Sequence, residues 1–341
     1  MFYKNEKLKT KKISNCIKEA QISNFIILDN NYSTTKIVTQ EKPIISKYPN
    51  ECFESSLFSS TVQIRNRGLR SKGFFKTTIK NKPLLSIITV TYNCKKDLTE
   101  TIESVIHQTY DNIEYIIIDG MSNDGTIEII EKYNNQIDYW LSEPDNGIYD
   151  AMNKGIMLST GDFIGFINAG DIYYLNAMGK LSSAIINNNF DFTFGSVDII
   201  NDNSKIINVG YPLKESNIVK DKLKRLPTPH QSFFIKLSFL KHIGLFNTKY
   251  KIKADYDLIL RSLAVSQKIW FFTSSPVMFR TGGVSSSLNT HIENLELLKD
   301  YDINIFSRYK IFIVSSLKYF ISRIIPSKLL FIIQNRDSKN E

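Results

Sequence analysis

Cysteine is scarce: Cys16, Cys52 and Cys94 are the only three in 341 residues. They are far apart and include no Cys-x-x-Cys pair, which argues against a disulfide framework or a zinc site and suits a reducing compartment. Long apolar runs are missing too. No stretch approaches the roughly 20 uninterrupted apolar residues of a bilayer span. Met1 to Lys12 is polar and lysine-rich, without the apolar centre of a secretory signal. Acids fall short of bases, 34 against 43, leaving a formal net charge of +9. That surplus suits phosphates or an anionic membrane, and equally a plain lysine-rich surface. There is no Walker loop, no Gly-x-Gly-x-x-Gly after the first apolar strand, and no Ser or Cys nucleophile elbow. No nucleic-acid module has a signature here, so nucleic acid is not an expected partner.

The chain divides by texture. Residues 1–82 hold short apolar bursts, Phe25 to Leu28 and Ile44 to Ile45, among Asn, Lys, Ser and Thr. They read as an irregular N-terminal extension. Within it, Gly68 to Lys76 mixes glycine, bases and aromatics, as a basic turn or an anion or carbohydrate site would. From Pro83 onward, apolar strands alternate with helical periods. Strands are predicted at Leu84–Thr91, Ile113–Asp119, Ile137–Leu141 and Phe163–Asn168, and helices at Lys95–Gln108, Thr126–Tyr133 and Asn146–Leu158. Such alternation means β-α-β units and a mostly parallel central sheet flanked by helices. Further on, Phe190–Val197 and Ile199–Val209 suggest a hairpin. Ser232–Ile235, Trp270–Phe272 and Val277–Arg280 suggest strands, and Asp255–Ala264 and Thr290–Ile305 suggest helices. The expected division is an extension over 1–82, an α/β domain over 83–290 and a helical C-terminal tail over 291–341.

Right-handed crossovers put the C-terminal ends of the parallel strands on one edge, where ligands of open α/β sheets bind. The polar residues collect there: Thr91-Tyr92-Asn93, Asp119 to Thr126, Ser142 to Gly147, and Asn168-Ala169-Gly170-Asp171. Asp119 can accept hydrogen bonds from a nucleobase or ribose, while Asp124 can cap the next helix. Asp171 is a weak cation signal in isolation, although Mg²⁺ and Mn²⁺ favour such oxygen ligands beside phosphate. Asp255, at a helix start, can serve as a general base or merely favour the helix dipole. Asp257 and Arg261 are spaced to pair. His230-Gln231 follows Pro227-Thr228-Pro229, and a lone histidine there reads as structural.

In order and spacing, four strings resemble glycosyltransferase family 2, with the GT-A nucleotide-diphospho-sugar transferase fold. They are Ser86 to Asn93, Asp119 to Thr126, Ser142 to Gly155, and Ala254 to Arg261. The resemblance spans residues 83 to about 285 and is strongest to bacterial capsule, exopolysaccharide and O-antigen enzymes of colanic-acid type. It implies an inverting transferase that moves a sugar from a nucleotide-diphosphate donor to a glycan or lipid-linked acceptor. It also implies that Thr91, Asn93, Asp119 and Ser122 surround the donor's base and ribose, and that Asp145, Asn153 and Lys154 line the donor. Asp171 would hold a divalent cation, Mn²⁺ or Mg²⁺, and Asp255 would be the catalytic base. Gly282 to Ser285 would close over the donor. Many members carry two adjacent acids where this chain has Gly170-Asp171, a departure that bears on metal affinity.

The tail from residue 310 to 333 is apolar but punctuated by Lys310, Lys318, Arg323 and Lys328. An amphipathic helix in the membrane interface is expected, at the cytoplasmic face of the cell membrane, with packing on the domain as the alternative. Two other functions fit the same sheet: a sugar nucleotidyltransferase, or a non-catalytic donor-binding or membrane adaptor protein. The first usually has a glycine-rich, arginine-bearing loop where Thr91 to Lys96 stands.

Overall fold

The structure, a computed structural model, describes residues 25–28, 37–43, 65–281 and 289–324. The strands are β1 (Phe25–Ile27), β2 (Ile37–Thr39), β3 (Arg65–Arg67), β4 (Leu85–Thr91), β5 (Ile113–Asp119), β6 (Tyr139–Ser142), β7 (Phe163–Asn168), β8 (Ile172–Tyr173), β9 (Phe192–Phe194), β10 (Val197–Ile200), β11 (Ile206–Gly210), β12 (Ile235–Lys236), β13 (Ile269–Phe271) and β14 (Val277–Arg280). The helices are α1 (Leu98–Ile106), α2 (Thr126–Lys132), α3 (Ile148–Leu158), α4 (Ala177–Asn187), α5 (Ile218–Asp221), α6 (Leu237–Ile243), α7 (Ala254–Val265), α8 (Asn289–Asp300) and α9 (Ile305–Ile324).

The main sheet runs β13-β9-β12-β7-β4-β5-β6-β3. Its centre, β7-β4-β5-β6, is parallel, as the alternation requires. The sheet as a whole is mixed, because β12 and β3 add antiparallel. β4 and β5 are buried along their whole length, which explains why they read as continuous apolar runs. Alternate residues serve opposite faces. Ile88 and Val90 meet the Tyr149, Met152 and Ile156 side of α3, with α7 beyond. Leu85 and Ile87 face α1, α2 and α4 through Leu98, Ile102, Ile130 and Leu181. Gly155 lets α3 lie close to β4: a Cβ there would stand 2.5 Å from Ile88 Cγ2.

A smaller sheet, β11-β10-β14-β8, sits on the second half. The expected hairpin is only β10 with β11. The apolar residues before it form β9, which enters the main sheet beside β12. The strand expected at Ser232–Ile235 starts later, at Ile235, because His230–Ser232 forms a 3-10 turn. The helix expected over Thr290–Ile305 stops at Asp300. Asp302 takes φ 55, Asp302 N–H bonds Lys299 O and Ile303 N–H bonds Leu298 O, a Schellman ending made with Asp in place of Gly. The chain then starts α9.

Residues 65–82, read from sequence as extension, contribute β3 to the sheet edge and a strap beneath it. Arg70 pairs with Glu114 with both side chains buried, and Lys76 Nζ lies 2.8 Å from Asp138 Oδ2. Burial opposes charge on Glu114, but Arg70, the Ser86 and Thr160 hydroxyls and the Thr160 N–H outweigh it and hold the carboxyl below its ordinary range. Two of the three bases of the Gly68–Lys76 string, Arg70 and Lys76, are thus spent inside the protein, while Lys72 is exposed. Arg70→Ala leaves Glu114 buried and unpaired, so it should cost about 3–5 kcal/mol in urea unfolding. A loss below about 1 kcal/mol would mean that the hydroxyls alone carry Glu114.

Candidate functional site

The parallel strands deliver their polar ends to one edge, as expected. On the nucleotide side, Asp119 ends β5 fully buried. It accepts hydrogen bonds from Ser122 N–H at 2.9 Å and Ser142 Oγ at 2.6 Å, and from Ser122 Oγ. Ser122 Oγ also accepts the Asn93 N–H at 2.8 Å, and Asn93 Oδ1 accepts the Asn123 N–H at 2.9 Å. The ends of β4 and β5 are therefore one hydrogen-bonded unit. Asn93 and Met121 hold φ 52 and φ 66, left-handed conformations that cost energy in non-glycine residues and gather at functional turns. Thr91 Oγ1 is buried with no hydrogen-bond partner. Asp145 comes close from the loop after β6: a Cβ on Gly120 would sit 2.6 Å from Asp145 Oδ2. The structure thus brings Thr91, Asn93, Asp119, Ser122 and Asp145 together.

Asn153 and Lys154 lie elsewhere. Both are buried on α3. Asn153 exchanges two hydrogen bonds with the Phe246 backbone. Lys154 Nζ is 2.7 Å from Glu143 Oε1 and donates to Pro144 O at 2.8 Å. In this structure they support the loop after β6 from beneath rather than present free groups to a ligand. Their spacing in the string gave no sign of this, because it does not show which face of α3 meets the sheet.

At the other end of the edge, Asp171 follows β7 at 3% exposure. Its Oδ1 accepts the Arg280 N–H at 3.0 Å and its Oδ2 accepts from Gln231 Nε2 at 3.2 Å. Burial pushes its carboxyl up to about 6, with Arg280, His230 and Gln231 opposing. Arg280 also reaches Gly170 O and Glu100, tying β14 to the same turn. Among the described residues no group of three or more His, Cys, Asp and Glu converges as a complete metal cage. Mg²⁺ and Mn²⁺ do not need one beside phosphate; one carboxylate with phosphate oxygens and water suffices. The donor set fits that mode. Asp171 is a hard oxygen ligand whose buried charge a cation would stabilise, and Asn168 Oδ1, in the same turn, is buried without a donor.

Asp255 stands at the start of α7 with its side chain 14% exposed, enough for a hydroxyl to reach it. Burial opposes its charge, but His230, Lys253 and the Tyr256 N–H outweigh it and hold the carboxyl below its ordinary range. It is therefore ionised at neutral pH. Its Oδ2 lies 3.4 Å from His230 Nδ1, and His230 Nε2 lies 3.2 Å from Asn168 Nδ2. Glu293 of α8 accepts the N–H groups of Lys251, Ile252 and Lys253, each at 2.6 Å, which fixes the approach to α7. Asp257 pairs with Arg261 at 2.8 Å and is turned away. His230, Gln231, Arg280 and Glu293 were not legible as site residues; the Pro-Thr-Pro-His-Gln string was the one available signal. Gly282 to Ser285 lies outside the described residues.

The family description Glycosyl transferase family 2 matches residues 86–243. A Mycobacterium tuberculosis protein called an uncharacterized glycosyltransferase is 30% identical over 199 residues, covering 55% of this chain and 71% of the relative. A PGL/p-HBAD biosynthesis glycosyltransferase of Mycobacterium bovis is 28% identical over 187 residues, 52% of this chain and 69% of the relative. Among solved structures, S. aureus TarS 1-349 in complex with UDP-GlcNAc superposes with a TM-score of 0.51 at 16% identity, covering 67% of this chain and 70% of that one. The chain spans 42% of the longer TarS structure. The likeness shows the fold, which is the GT-A fold expected from the sequence.

Proposed function

This chain belongs to glycosyl transferase family 2, and from that premise we propose that it is an inverting transferase acting on a nucleotide-diphosphate sugar. The observation that carries the reading is Asp255, ionised, accessible and joined through His230 to the strand end that bears Asp171. The TarS complex with UDP-GlcNAc makes UDP-sugars the first donor class to test. The nucleoside would lie against Thr91, Asn93, Ser122 and Asp145, with Asp119 bracing the turn and Asn153 and Lys154 holding the loop below. Asp171 would hold Mn²⁺ or Mg²⁺, which when bound neutralises charge on the departing diphosphate. Asp255 takes the proton of the acceptor hydroxyl. That oxygen forms a bond to the anomeric carbon opposite the diphosphate, whose bond breaks with its electron pair. One displacement inverts the centre. Incubating the chain with UDP-sugars and Mn²⁺ and measuring UDP release tests the reading. Release from no nucleotide sugar of any base would leave a donor-binding protein.

The acceptor we propose is a glycan or a lipid-linked sugar, met at the cytoplasmic face of a membrane. Among the described residues no helix is long and apolar enough to cross a bilayer. Helix α9 instead exposes Phe306, Tyr309, Ile313 and Leu317 at helical spacing, with Phe306 85% exposed. Its twenty residues carry four bases and no acid. Each base near an anionic surface contributes about 1 kcal/mol, so binding should weaken with salt while the apolar stripe keeps a resistant fraction. The full chain should co-sediment with phosphatidylserine vesicles, and a Phe306→Glu, Ile313→Glu variant should stay in solution. Equal sedimentation of the two would place the stripe against protein instead. Lys328 and Leu329 to Ile333 lie outside the described residues.

A further inference from the structure

We propose that His230 is the positioning residue of Asp255, held in one tautomer by Asn168. This rests on the reading of Asp255 as the base.

The backbone around His230 is fixed before its side chain is considered. Thr228 Oγ1 bonds Gly195 O at 3.1 Å, Ser232 N–H bonds Pro229 O at 3.1 Å, and Phe233 N–H bonds His230 O at 3.0 Å. The imidazole then spans two groups. Nε2 faces Asn168 Nδ2 at 3.2 Å, and Nδ1 faces Asp255 Oδ2 at 3.4 Å. An amide nitrogen only donates, so Nε2 must accept. A neutral imidazole has one N–H, which is then on Nδ1 and points to a carboxylate. With a neutral ring, turning the amide over would demand N–H on Nε2 and leave the Nδ1 lone pair facing the lone pairs of Asp255; only a doubly protonated ring satisfies that arrangement. For the neutral ring both contacts therefore select the same tautomer.

The consequence for Asp255 is orientation. Its Oδ1 already accepts the Tyr256 N–H at 2.7 Å. The Nδ1–H bond fixes the other oxygen, so the carboxylate plane is set from both sides. A base must be aimed as well as ionised, and a third group commonly aims it. The 3.4 Å separation is long for a hydrogen bond, and contacts of this kind shorten when substrates bind. Asn168 stands three residues before Asp171, and Gln231, next to His230, bonds Asp171. The base and the diphosphate turn are thereby referenced to one strand end.

Two measurements on the full-length chain test this. The first needs no substrate: long-range ¹⁵N–¹H spectra of the imidazoles, with the His230 signal identified by its loss in His230→Leu. The chain has four histidines, so the assignment is short. An Nδ1–H tautomer is expected; an Nε2–H tautomer overturns the proposal. The second is UDP release from UDP-GlcNAc with Mn²⁺. His230→Leu should lower kcat roughly 10- to 100-fold, the usual cost of losing an orienting partner, with donor KM nearly unchanged. His230→Asn places an N–H where Nδ1 stands and should recover part of the loss, whereas His230→Gln should not. In an Asp255→Asn background, removing His230 should cost little more. A full multiplicative loss there, or a rise in the Mn²⁺ requirement, would make His230 an independent or metal-binding group. If the wild type releases no UDP, the donor reading fails, while the tautomer result still decides the role of His230. If His230→Leu does not fold, His230→Gln replaces it in both measurements: the parent's His230 signal is identified by its loss there, and a kcat equal to the parent's overturns the proposal.

Discussion

Asp255→Asn should lower turnover by on the order of 10²–10⁴ while leaving donor affinity close to that of the parent. Asparagine keeps the shape and one acceptor, so the Tyr256 N–H can still be satisfied. What it loses is the charge that accepts a proton. His230, Lys253 and the Tyr256 N–H hold the Asp255 carboxyl below its ordinary range despite burial, so the parent group is fully ionised near neutral pH. The proposed donor turns follow β4, β5 and β6, and among the described residues no hydrogen bond joins Asp255 to Thr91, Asn93, Asp119, Ser122 or Asp145. A kcat loss without a KM change is therefore the signature of a group that acts in the displacement alone. The experiment is steady-state UDP release with UDP-GlcNAc or whichever nucleotide sugar is turned over, alongside donor binding by calorimetry. A folded variant with near-parent turnover would remove Asp255 from the role. Loss of binding with unchanged kcat would make it a donor ligand.

The parallel centre of the fold was legible because its strands are buried on both faces and read as unbroken apolar runs. β5 and β7 have the expected limits, and the alternating helices fix their direction. The edges were not legible. β3 is Arg65-Asn66-Arg67, three exposed polar residues whose pairing with β6 is made by backbone alone. β8 and β12 have two residues each, too short to show a period. Helix α4, with Met178, Leu181 and Ala184 buried, was missed between two strand-like stretches. In the candidate site, the residues at strand ends could be proposed because topology collects them at one edge, and Asp255 through the family resemblance and its place at a helix start. His230 comes from a loop 62 residues beyond Asn168, and no local spacing announces that meeting. Lys154 shows the converse: the family string implies a lysine lining the donor, and burial of α3 against β4 pairs it with Glu143 in this structure.

Asp171 should show two opposite effects. Removing its charge should stabilise the donor-free protein and impair the reaction. Burial raises its carboxyl from 3.8 to about 6. The folded state therefore holds the proton more tightly than the unfolded chain. Stability is highest below about 4 and falls as pH rises to about 6, because the buried charge must then be carried. The full cost, on the order of 3 kcal/mol at 1.36 kcal/mol per decade, applies at pH 7. Asp171→Asn removes it and keeps an acceptor for the Arg280 N–H, so its melting temperature at pH 7 should rise above that of the parent. A bound Mn²⁺ would stabilise the same charge, so Mn²⁺ with UDP should raise the melting temperature of the parent and barely move the variant. Turnover should fall by on the order of 10²–10³, as expected when charge on a leaving group loses its partner. Chelator should imitate the variant in the parent protein. Equal response of both proteins to Mn²⁺ and UDP would take Asp171 out of cation binding. Unchanged stability between pH 4 and 6 would show that Arg280, Gln231 and His230 already carry its charge.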